Sequence, residues 1–423
     1  MNVLVIGSGG REHAIVNSFS KSKSVSKIFA IPGNGGTDSL AVNINCDVND
    51  FNSIKAIVIK NEISLVFVGP EDPIVNGIYD YFKSDKSLSS VKIISPSMKA
   101  AALEGSKDFA KKFMIKYGIP TAKYKTFTRQ NLKEADTFLE SMKSPYVLKA
   151  DGLAAGKGVL ILNDLNEAKD EIRKMIVGQK FGDSSKKVVI EEFLNGIELS
   201  CFVLTDGNTF KILPFAKDYK KIGEGDKGLN TGGMGAISPV PFLDSELLNK
   251  IKESIVRPTI EGIKKENMEY IGVVFIGLIK VGDEPYVIEY NVRMGDPETE
   301  VVFPRIKNDM GELLYSLGED EFENINLEFD ERHAATVIMV SGGYPGPYEK
   351  NKKISGISNV KDSIVYHAGT KKINDDYYTN GGRVLAITSL TDNYKESLKK
   401  SYEEINKIKF ENLNYRKDIG FDL

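Results

Sequence analysis

Cysteine, histidine and tryptophan are scarce in this chain, and the first two scarcities each close off a class of function. Two thiols in 423 residues, Cys46 and Cys201, lie far apart. A disulfide framework is therefore not expected, and a reducing compartment fits. The three histidines (His13, His333 and His367) form no His-x-x-x-His, and there is no Cys-x-x-Cys, which argues against a zinc site. No stretch approaches the roughly 18–20 consecutive apolar residues of a membrane span. The first strand is read from Val3, so no charged segment with a signal-length apolar run is expected ahead of it. Charge of one sign is missing too: 56 basic residues against 59 acidic ones give a net −3. Without a dense basic run interleaved with aromatics, nucleic acid is not an expected partner. Internal repeats and low-complexity tracts are also missing. What remains is an ordinary globular composition, 41% hydrophobic and 27% charged, on a chain long enough for about three domains. A cytoplasmic enzyme is the expectation.

Residues 3–100 alternate short apolar strands with helical segments. Val3–Ile6, Lys27–Ile31, Leu65–Val68 and Lys92–Ile94 read as strands, the pattern of a parallel sheet wound on both faces. Loops follow the first three: Gly7-Ser-Gly-Gly-Arg-Glu-His13, Pro32-Gly-Asn34 and Gly69-Pro-Glu-Asp72. Loops at the carboxyl edge of such a sheet form the crevice where ligands usually bind. The first loop opens a helix, so its backbone N–H groups can hold an anion. A dinucleotide fold would want glycine at position 12 and an acid about 20 residues further on. Here position 12 is Glu12, and the second strand runs into Ile31-Pro-Gly-Asn34 with no acid. A single phosphate on a smaller substrate suits the loop better than NAD; a tight turn with no ligand is the plain alternative.

An amphipathic helix near Lys107, through Phe109, Phe113 and Met114, breaks at Gly118-Ile-Pro120. From about 121 to 190 a compact α+β unit follows, with strands at Tyr146–Ala150, Val159–Leu162 and Val188–Glu191. Lys149 stands on the first of these, ahead of a loop carrying Gly152, Gly156, Lys157 and Gly158. This is not a Walker A loop. A strand lysine beneath a glycine loop is another way to neutralise and cover a triphosphate. The strand ending at Glu191 enters an extended hinge whose backbone can offer N–H and C=O groups to an adenine edge, and Glu198 can accept from ribose hydroxyls. A long helix is read near 246–266. Glu289, Asn291 and Arg293 then alternate along an apolar run, which puts all three on one face of a strand. A carboxylate beside an amide oxygen offers hard ligands for Mg²⁺ carrying phosphates, and arginine can grip a carboxylate or a transferring phosphoryl group. Alone, this triplet reads equally well as a strand end facing water; the two lysine-bearing segments upstream tip the balance. From about 327 the chain is mostly strands, ending in a helix near 392–408.

In these features the chain resembles the ATP-grasp superfamily and, more narrowly, the glycinamide ribonucleotide synthetase family. The resemblance is carried by Val5-Ile-Gly-Ser-Gly-Gly-Arg-Glu-His-Ala14, Leu103-Glu-Gly-Ser-Lys107, the Leu148–Val159 loop, Asn230-Thr-Gly-Gly-Met-Gly-Ala236, Gly295-Asp-Pro-Glu-Thr299, His367-Ala-Gly-Thr370 and Asn380-Gly-Gly-Arg-Val384. It implies a multidomain α/β and α+β chain: an N-terminal doubly wound parallel sheet (1–103), an ATP-grasp core (104–326) with a mobile lid at about 121–190, and a small mostly-β C-terminal domain (327–423). It also implies ATP-dependent ligation of glycine to 5-phosphoribosylamine through a glycyl phosphate, in purine synthesis. The alternative is another ATP-grasp carboxylate–amine ligase or carboxylase of purine metabolism.

On that resemblance, Lys107 and Lys149 contact the ATP phosphates beneath Gly156, Lys157 and Gly158. Glu191, Glu192, Phe193 and Leu194 hold adenine, Glu198 holds the ribose, and Glu289 with Asn291 binds Mg²⁺ or Mn²⁺. Arg293 and Asp218 are the expected catalytic residues. Gly9, Gly10, Arg11, Pro32, Gly33, Asn34 and Glu71 are expected around phosphoribosylamine, with Gly232, Gly233, Met234, Gly235, Asp296 and Pro297 completing the substrate site. The implied partners are small molecules, with a monomer expected and transient contact with neighbouring pathway enzymes. Two departures stand out: Ala216-Lys-Asp-Tyr-Lys220 keeps Asp218 and Lys220 but not their usual neighbours, and Gly272–Gly277 lacks the extra metal-binding carboxylate of many ATP-grasp enzymes. Because a glycyl phosphate must meet its amine before water does, a lid closing about Gly118-Ile-Pro120 and Glu191 is expected. Asp218 either orients or deprotonates the amine or is a satisfied turn residue. His13 is expected to pack locally, and His367 either faces the cleft or has a structural role.

Overall fold

The apolar runs near the amino terminus become the buried strands of one parallel sheet. In the computed structural model, which describes residues 1–153 and 158–423, these are β1 (Asn2–Gly7), β2 (Lys27–Pro32), β3 (Val42–Asn43), β4 (Ile63–Val68) and β5 (Lys92–Pro96). Their order is β3-β2-β1-β4-β5, and every pairing among them is parallel. Val3 to Ile6 are wholly buried, as a continuous apolar run must be when both faces of its strand are covered. The helix Gly10–Phe19 follows β1 directly. The loops after β1, β2 and β4 therefore share one edge of the sheet.

A second, separate sheet holds β6 (Tyr124–Thr128), β7 (Tyr146–Ala150), β8 (Val159–Leu162) and β9 (Lys187–Glu192) in the antiparallel order β6-β9-β7-β8. Its apolar residues form one core with the helices Lys133–Glu140 and Leu165–Ile176. The sequence pattern did not mark β6, because as an edge strand it fully buries only Phe127.

The central part adds β10 (Ile197–Thr205), β11 (Phe210–Ile212), β12 (Lys217–Asp218), the hairpin β13 (Lys221–Gly223) and β14 (Lys227–Asn230), β15 (Gly235–Ser238), β16 (Tyr270–Val281) and β17 (Glu284–Asn291). The long strand β16 is the spine. It pairs antiparallel with β10 and β17 along most of its length, and at its start Tyr270 and Ile271 lie opposite Pro96 and Ser95 of β5. The parallel and antiparallel parts thus form one nine-stranded sheet. Phe202 and Phe275 face each other across β10 and β16, their ring centroids 4.8 Å apart. The helix read near 246–266 comprises Ser245–Ile251, a π-helical stretch Lys252–Val256 and Arg257–Lys265. The wider turn lies just before Pro258, which has no N–H to donate and whose ring crowds the carbonyl four residues back in a regular α-helix.

The carboxyl-terminal strands are β18 (His333–Val340), β19 (Lys353–Ile354), β20 (Ile364–His367), β21 (Thr370–Ile373), β22 (Asp376–Thr379) and β23 (Arg383–Thr391). They build a three-stranded sheet β19-β22-β21 and a five-stranded sheet β12-β15-β18-β23-β20, against which the helix Tyr394–Ile405 packs. The larger sheet recruits β12 and β15 from the middle of the chain, so what looks like a boundary in sequence is continuous in hydrogen bonding. Phe202→Ala, which removes half of the central ring pair, is expected to lower stability by about 3–5 kcal/mol, read by denaturant unfolding.

Candidate active site

Three charged side chains meet where the small four-stranded sheet faces the central one. Lys149 on β7 and Lys111 on the helix Lys107–Lys116 both bind Glu191 Oε2, at 3.0 and 3.1 Å. Lys111 Nζ also donates to Thr121 Oγ1 at 2.8 Å, and Lys149 Nζ lies 3.4 Å from the carbonyl of Ile288 on β17. Burial pushes the Lys111 ammonium down to about 8, against the pull of Glu191. Glu191 Oε1 is buried with no hydrogen-bond partner among the described residues, a cost normally repaid by a donor. Lys107, at the start of its helix, lies 3.4 Å from the carbonyl of Gly152; burial lowers its pKa and Glu289 opposes the shift. Glu192 turns the other way and accepts from the Lys123 N–H at 2.8 Å. Phe193 and Leu194 leave the ladder without regular structure, with Phe193 exposed. Gly158 accepts from Ala150 N–H; Gly156 and Lys157 lie outside the described residues.

Glu289 and Asn291 project from β17, as their alternation required. Arg293 lies beyond the strand, which corrects the reading of all three as strand residues. The ladder ends because Val292 N–H donates to Glu104 Oε2 at 2.8 Å, and a register shift opposite Gly277 and Leu278 precedes it. Arg293 nevertheless turns back toward the same face. Its Nη2 is 2.9 Å from Glu104 Oε1 and 3.3 Å from Asn291 Oδ1, and its Nε is 3.3 Å from Glu71 Oε2. Burial pushes the Glu289 carboxyl up, but Lys220, Lys149 and Lys107 together hold it below its ordinary value. Among the described residues, no group of three or more histidine, cysteine or acidic side chains converges on a metal position. One carboxylate and one amide oxygen fit a hard divalent cation only when other oxygens complete its shell, as nucleotide phosphates do.

Next to this pair lies a second charge cluster. Lys220 Nζ binds Glu198 Oε2 at 3.0 Å, and Lys220 is the main force holding the Glu198 carboxyl down. Asp218, on β12, is buried. Burial pushes its carboxyl up, Lys220 opposes this, and Glu198 adds to it. Glu298, also buried, lies 3.4 Å from Ser200 Oγ; burial and then Asp218 push its carboxyl up. Two carboxyls so placed resist ionising together.

The amino-terminal loop is used differently from the simplest expectation. Gly9 N–H donates to Glu12 Oε2 at 2.6 Å, and Arg11 N–H to Asp296 Oδ2 at 3.3 Å. The helix start thus already carries two of the protein's own carboxylates. Glu12 fills the space between the first and third loops, since a Cβ at Gly7 or Gly69 would run into it, and this is why position 12 cannot serve a dinucleotide. Arg11 pairs with Glu12 at 2.6 Å and donates to the carbonyl of Met294. Asn34 stitches loops together, donating to the carbonyls of Ser8 and His367 and accepting from Gly36 and Thr37. The His13 Nδ1 accepts the His367 N–H at 2.7 Å; burial lowers the pKa of His13 to about 3 and that of His367 to about 4, so both are neutral. A cavity of about 650 Å³ opens here, lined by Ser8, Gly9, Pro32–Asn34 and Asp296 on one wall and by residues 368–372 and Arg383 on the other.

Not every expected substrate residue reaches this cavity. Gly233 is wedged against Pro297, Gly232 accepts from Arg383 at 2.6 Å, and Met234 lies in the core with its N–H on the Tyr219 carbonyl. Asp296 is held by Arg383 Nη2 at 3.0 Å. Sequence reasoning missed Lys111, Glu104, Glu298 and Arg383 as members of the site. For Lys111 a signal existed: it lies four residues after Lys107 and so shares its helix face. The other three are joined only by tertiary contacts.

A small β unit carrying a strand lysine, closing on a large sheet that presents a carboxylate–amide pair, defines an ATP-grasp ligase. Models of the phosphoribosylglycinamide synthetase N domain, ATP-grasp (A) domain and C domain match residues 1–104, 105–299 and 334–422. The chain belongs to the phosphoribosylglycinamide synthetase family. It is 45% identical over 420 residues to the phosphoribosylamine–glycine ligase of Caldanaerobacter subterraneus subsp. tengcongensis, covering 99% of each. The crystal structure of the phosphoribosylamine–glycine ligase of Thermotoga maritima superposes with a TM-score of 0.84 at 35% identity, covering 99% of this chain and 100% of that one. The biotin carboxylase domain of the Hydrogenobacter thermophilus 2-oxoglutarate carboxylase shares the fold alone, with a TM-score of 0.71 at 16% identity over 98% and 91% of the two chains. The family uses ATP with a divalent metal ion.

Glu300 supplies a pH test of this junction. It is wholly buried, and neither of its carboxyl oxygens has a partner among the described residues. Burial pushes it well above the carboxylate range, Asp296 adds to this, and Arg383 offsets part. The folded protein therefore holds a proton that the unfolded chain loses above its ordinary pKa of 4.5, so this group costs stability as pH rises from there. Glu300→Gln, which mimics the neutral acid, is expected to raise the apparent Tm at pH 8 by at least ~2 °C and to have little effect at pH 4.5. Equal shifts at both pH values would refute the neutral state.

Proposed function

We propose that this protein joins glycine to 5-phosphoribosylamine, giving glycinamide ribonucleotide, ADP and phosphate in de novo purine synthesis. The observation supporting this reading is the mutual proximity of Lys107, Lys149, Glu289 and Lys220, of Lys220 and Asp218, and of Asn291 and Arg293; Asp296, three residues beyond Arg293, lines the cavity at the amino-terminal loops. A carboxylate does not yield an amide directly, because oxide is a poor leaving group. A glycine carboxylate oxygen instead attacks the γ-phosphorus of ATP and the bond to ADP breaks. The amine nitrogen then attacks the carbonyl carbon of glycyl phosphate, phosphate leaves, and the nitrogen gives up a proton.

The main barrier is bringing several anions together, so fixed cations are the chief contribution of the protein. Lys107 and Lys149 neutralise the phosphates of ATP. Glu289 and Asn291 would hold Mg²⁺ or Mn²⁺, which would supply positive charge against that of the phosphates. Arg293, oriented by Glu104 and Glu71, faces the transferring group or the carboxylate of glycine. Glu191 to Leu194 take adenine, with Glu191 Oε1, which has no partner among the described residues, placed to accept a donor, and Glu198 takes the ribose. Asp218, kept basic by burial, accepts or directs the proton of the amine. The 121–190 unit acts as the lid, and the chain divides into units at 1–103, 104–326 and 327–423, a division supported by the extents of the family matches. The protein works as a cytoplasmic monomer in passing contact with enzymes that make or use its labile amine.

The test is ADP release with glycine and freshly generated phosphoribosylamine, omitting each in turn; release that persists without either refutes the reaction. Glu289→Ala is expected to cut turnover by at least about 100-fold while leaving circular dichroism unchanged. Undiminished turnover would remove the metal assignment.

A further inference from the structure

The cavity has two unlike ends, and only one of them suits a phosphate. A phosphomonoester carries about two negative charges at neutral pH, and the usual place for it is a helix start behind a glycine turn. Here Glu12 and Asp296 already accept the N–H groups of Gly9 and Arg11, and like charges so close would repel a phosphate. The opposite wall is the hairpin β21–β22 with the loop before it, which brings Thr370, Lys371, Lys372 and Asn374 to the cavity. Gly35 N–H donates to the Thr370 carbonyl at 3.2 Å, and Lys372 Nζ stands 3.5 Å from Asp38. The hairpin is therefore pinned to the amino-terminal sheet with its two lysines at the rim. Arg383 is held tightly by the Asp296 carboxylate at 3.0 Å and by the carbonyls of Gly232 and Asp296 at 2.6 Å, whereas the single ion pair of Lys372, with Asp38, is the looser one.

We propose that Lys371 and Lys372 form the subsite for the 5′-phosphate of the ribosyl substrate, so that the phosphate docks on the carboxyl-terminal domain and not on the first glycine loop. The assignment rests on the ligase reading above. The amine at C1 must face Arg293 and Asp218, where the acyl phosphate forms. The phosphate at C5 lies at the far end of the sugar, which directs it away from Asp296 and toward the lysines. The glycine loop is left to fit the ribose by shape. Substrate then bridges the amino- and carboxyl-terminal parts, and the lysines confer preference for a ribotide over a riboside.

Calorimetric titration of the full-length protein with glycinamide ribonucleotide and with its dephosphorylated riboside tests this. The wild type should bind the ribotide more tightly, and the double variant Lys371→Gln/Lys372→Gln should lose at least about tenfold in ribotide affinity. Its affinities for the riboside and for ATP should stay unchanged, and Lys371→Arg/Lys372→Arg should restore most of the loss. Ribotide affinity within threefold of wild type in the glutamine variant, or an equal loss for the riboside, would overturn the subsite. A wild-type protein that binds no ribotide and releases no ADP with glycine and phosphoribosylamine would instead overturn the ligase reading, and the subsite with it.

Discussion

The guanidinium of Arg293 is the point on which the site depends. It is shared by Glu104, Glu71 and Asn291, which come from the segment before the Lys107 helix, the third amino-terminal loop and β17. A single partly buried charge thereby fixes three separate parts of the chain relative to one another. Glu104 matters twice, because its other oxygen takes the Val292 N–H and ends β17 where the strand must release Arg293. Removing either partner would leave a poorly solvated charge behind, which costs more than the pair itself contributes.

Around this anchor the cleft is a balance of opposed charges. Lys149 and Lys111 share one oxygen of Glu191, and Lys220 is held between Asp218 and Glu198. Glu191 opposes the effect of burial on Lys111, and Asp218 with Glu198 holds the Lys220 ammonium charged, in a partly desolvated cleft where an unpaired ammonium would tend to lose its proton. Positive groups are thereby fixed in the cleft before any ligand arrives. Such preorganisation is the main means by which a protein lowers the barrier to joining anions.

The amino-terminal glycine loop shows a motif put to a second use. Its glycines are needed for close approach, but the approaching group is Glu12, not a bound dinucleotide. The fold keeps the doubly wound topology while closing the pyrophosphate position with its own carboxylate. The open space lies instead between this loop and the carboxyl-terminal hairpin, where Asn34 and Gly35 stitch the two together.

The chain's local chemistry was legible in its residues. Continuous apolar runs required covered strands, alternation placed Glu289 and Asn291 together, and the run Tyr146–Ala150 set Lys149 on a strand, because each follows from the period of its own element. Edge strand β6 was invisible because its side chains are half in water, and Arg293 was placed on a strand because nothing nearby reveals that Glu104 ends it. The partners of Arg293, the Lys111–Glu191 pair and the recruitment of β12 and β15 into the carboxyl-terminal sheet were decided only by the fold. Those contacts join residues up to hundreds of positions apart, and their energies depend on burial and distance, which local sequence does not encode.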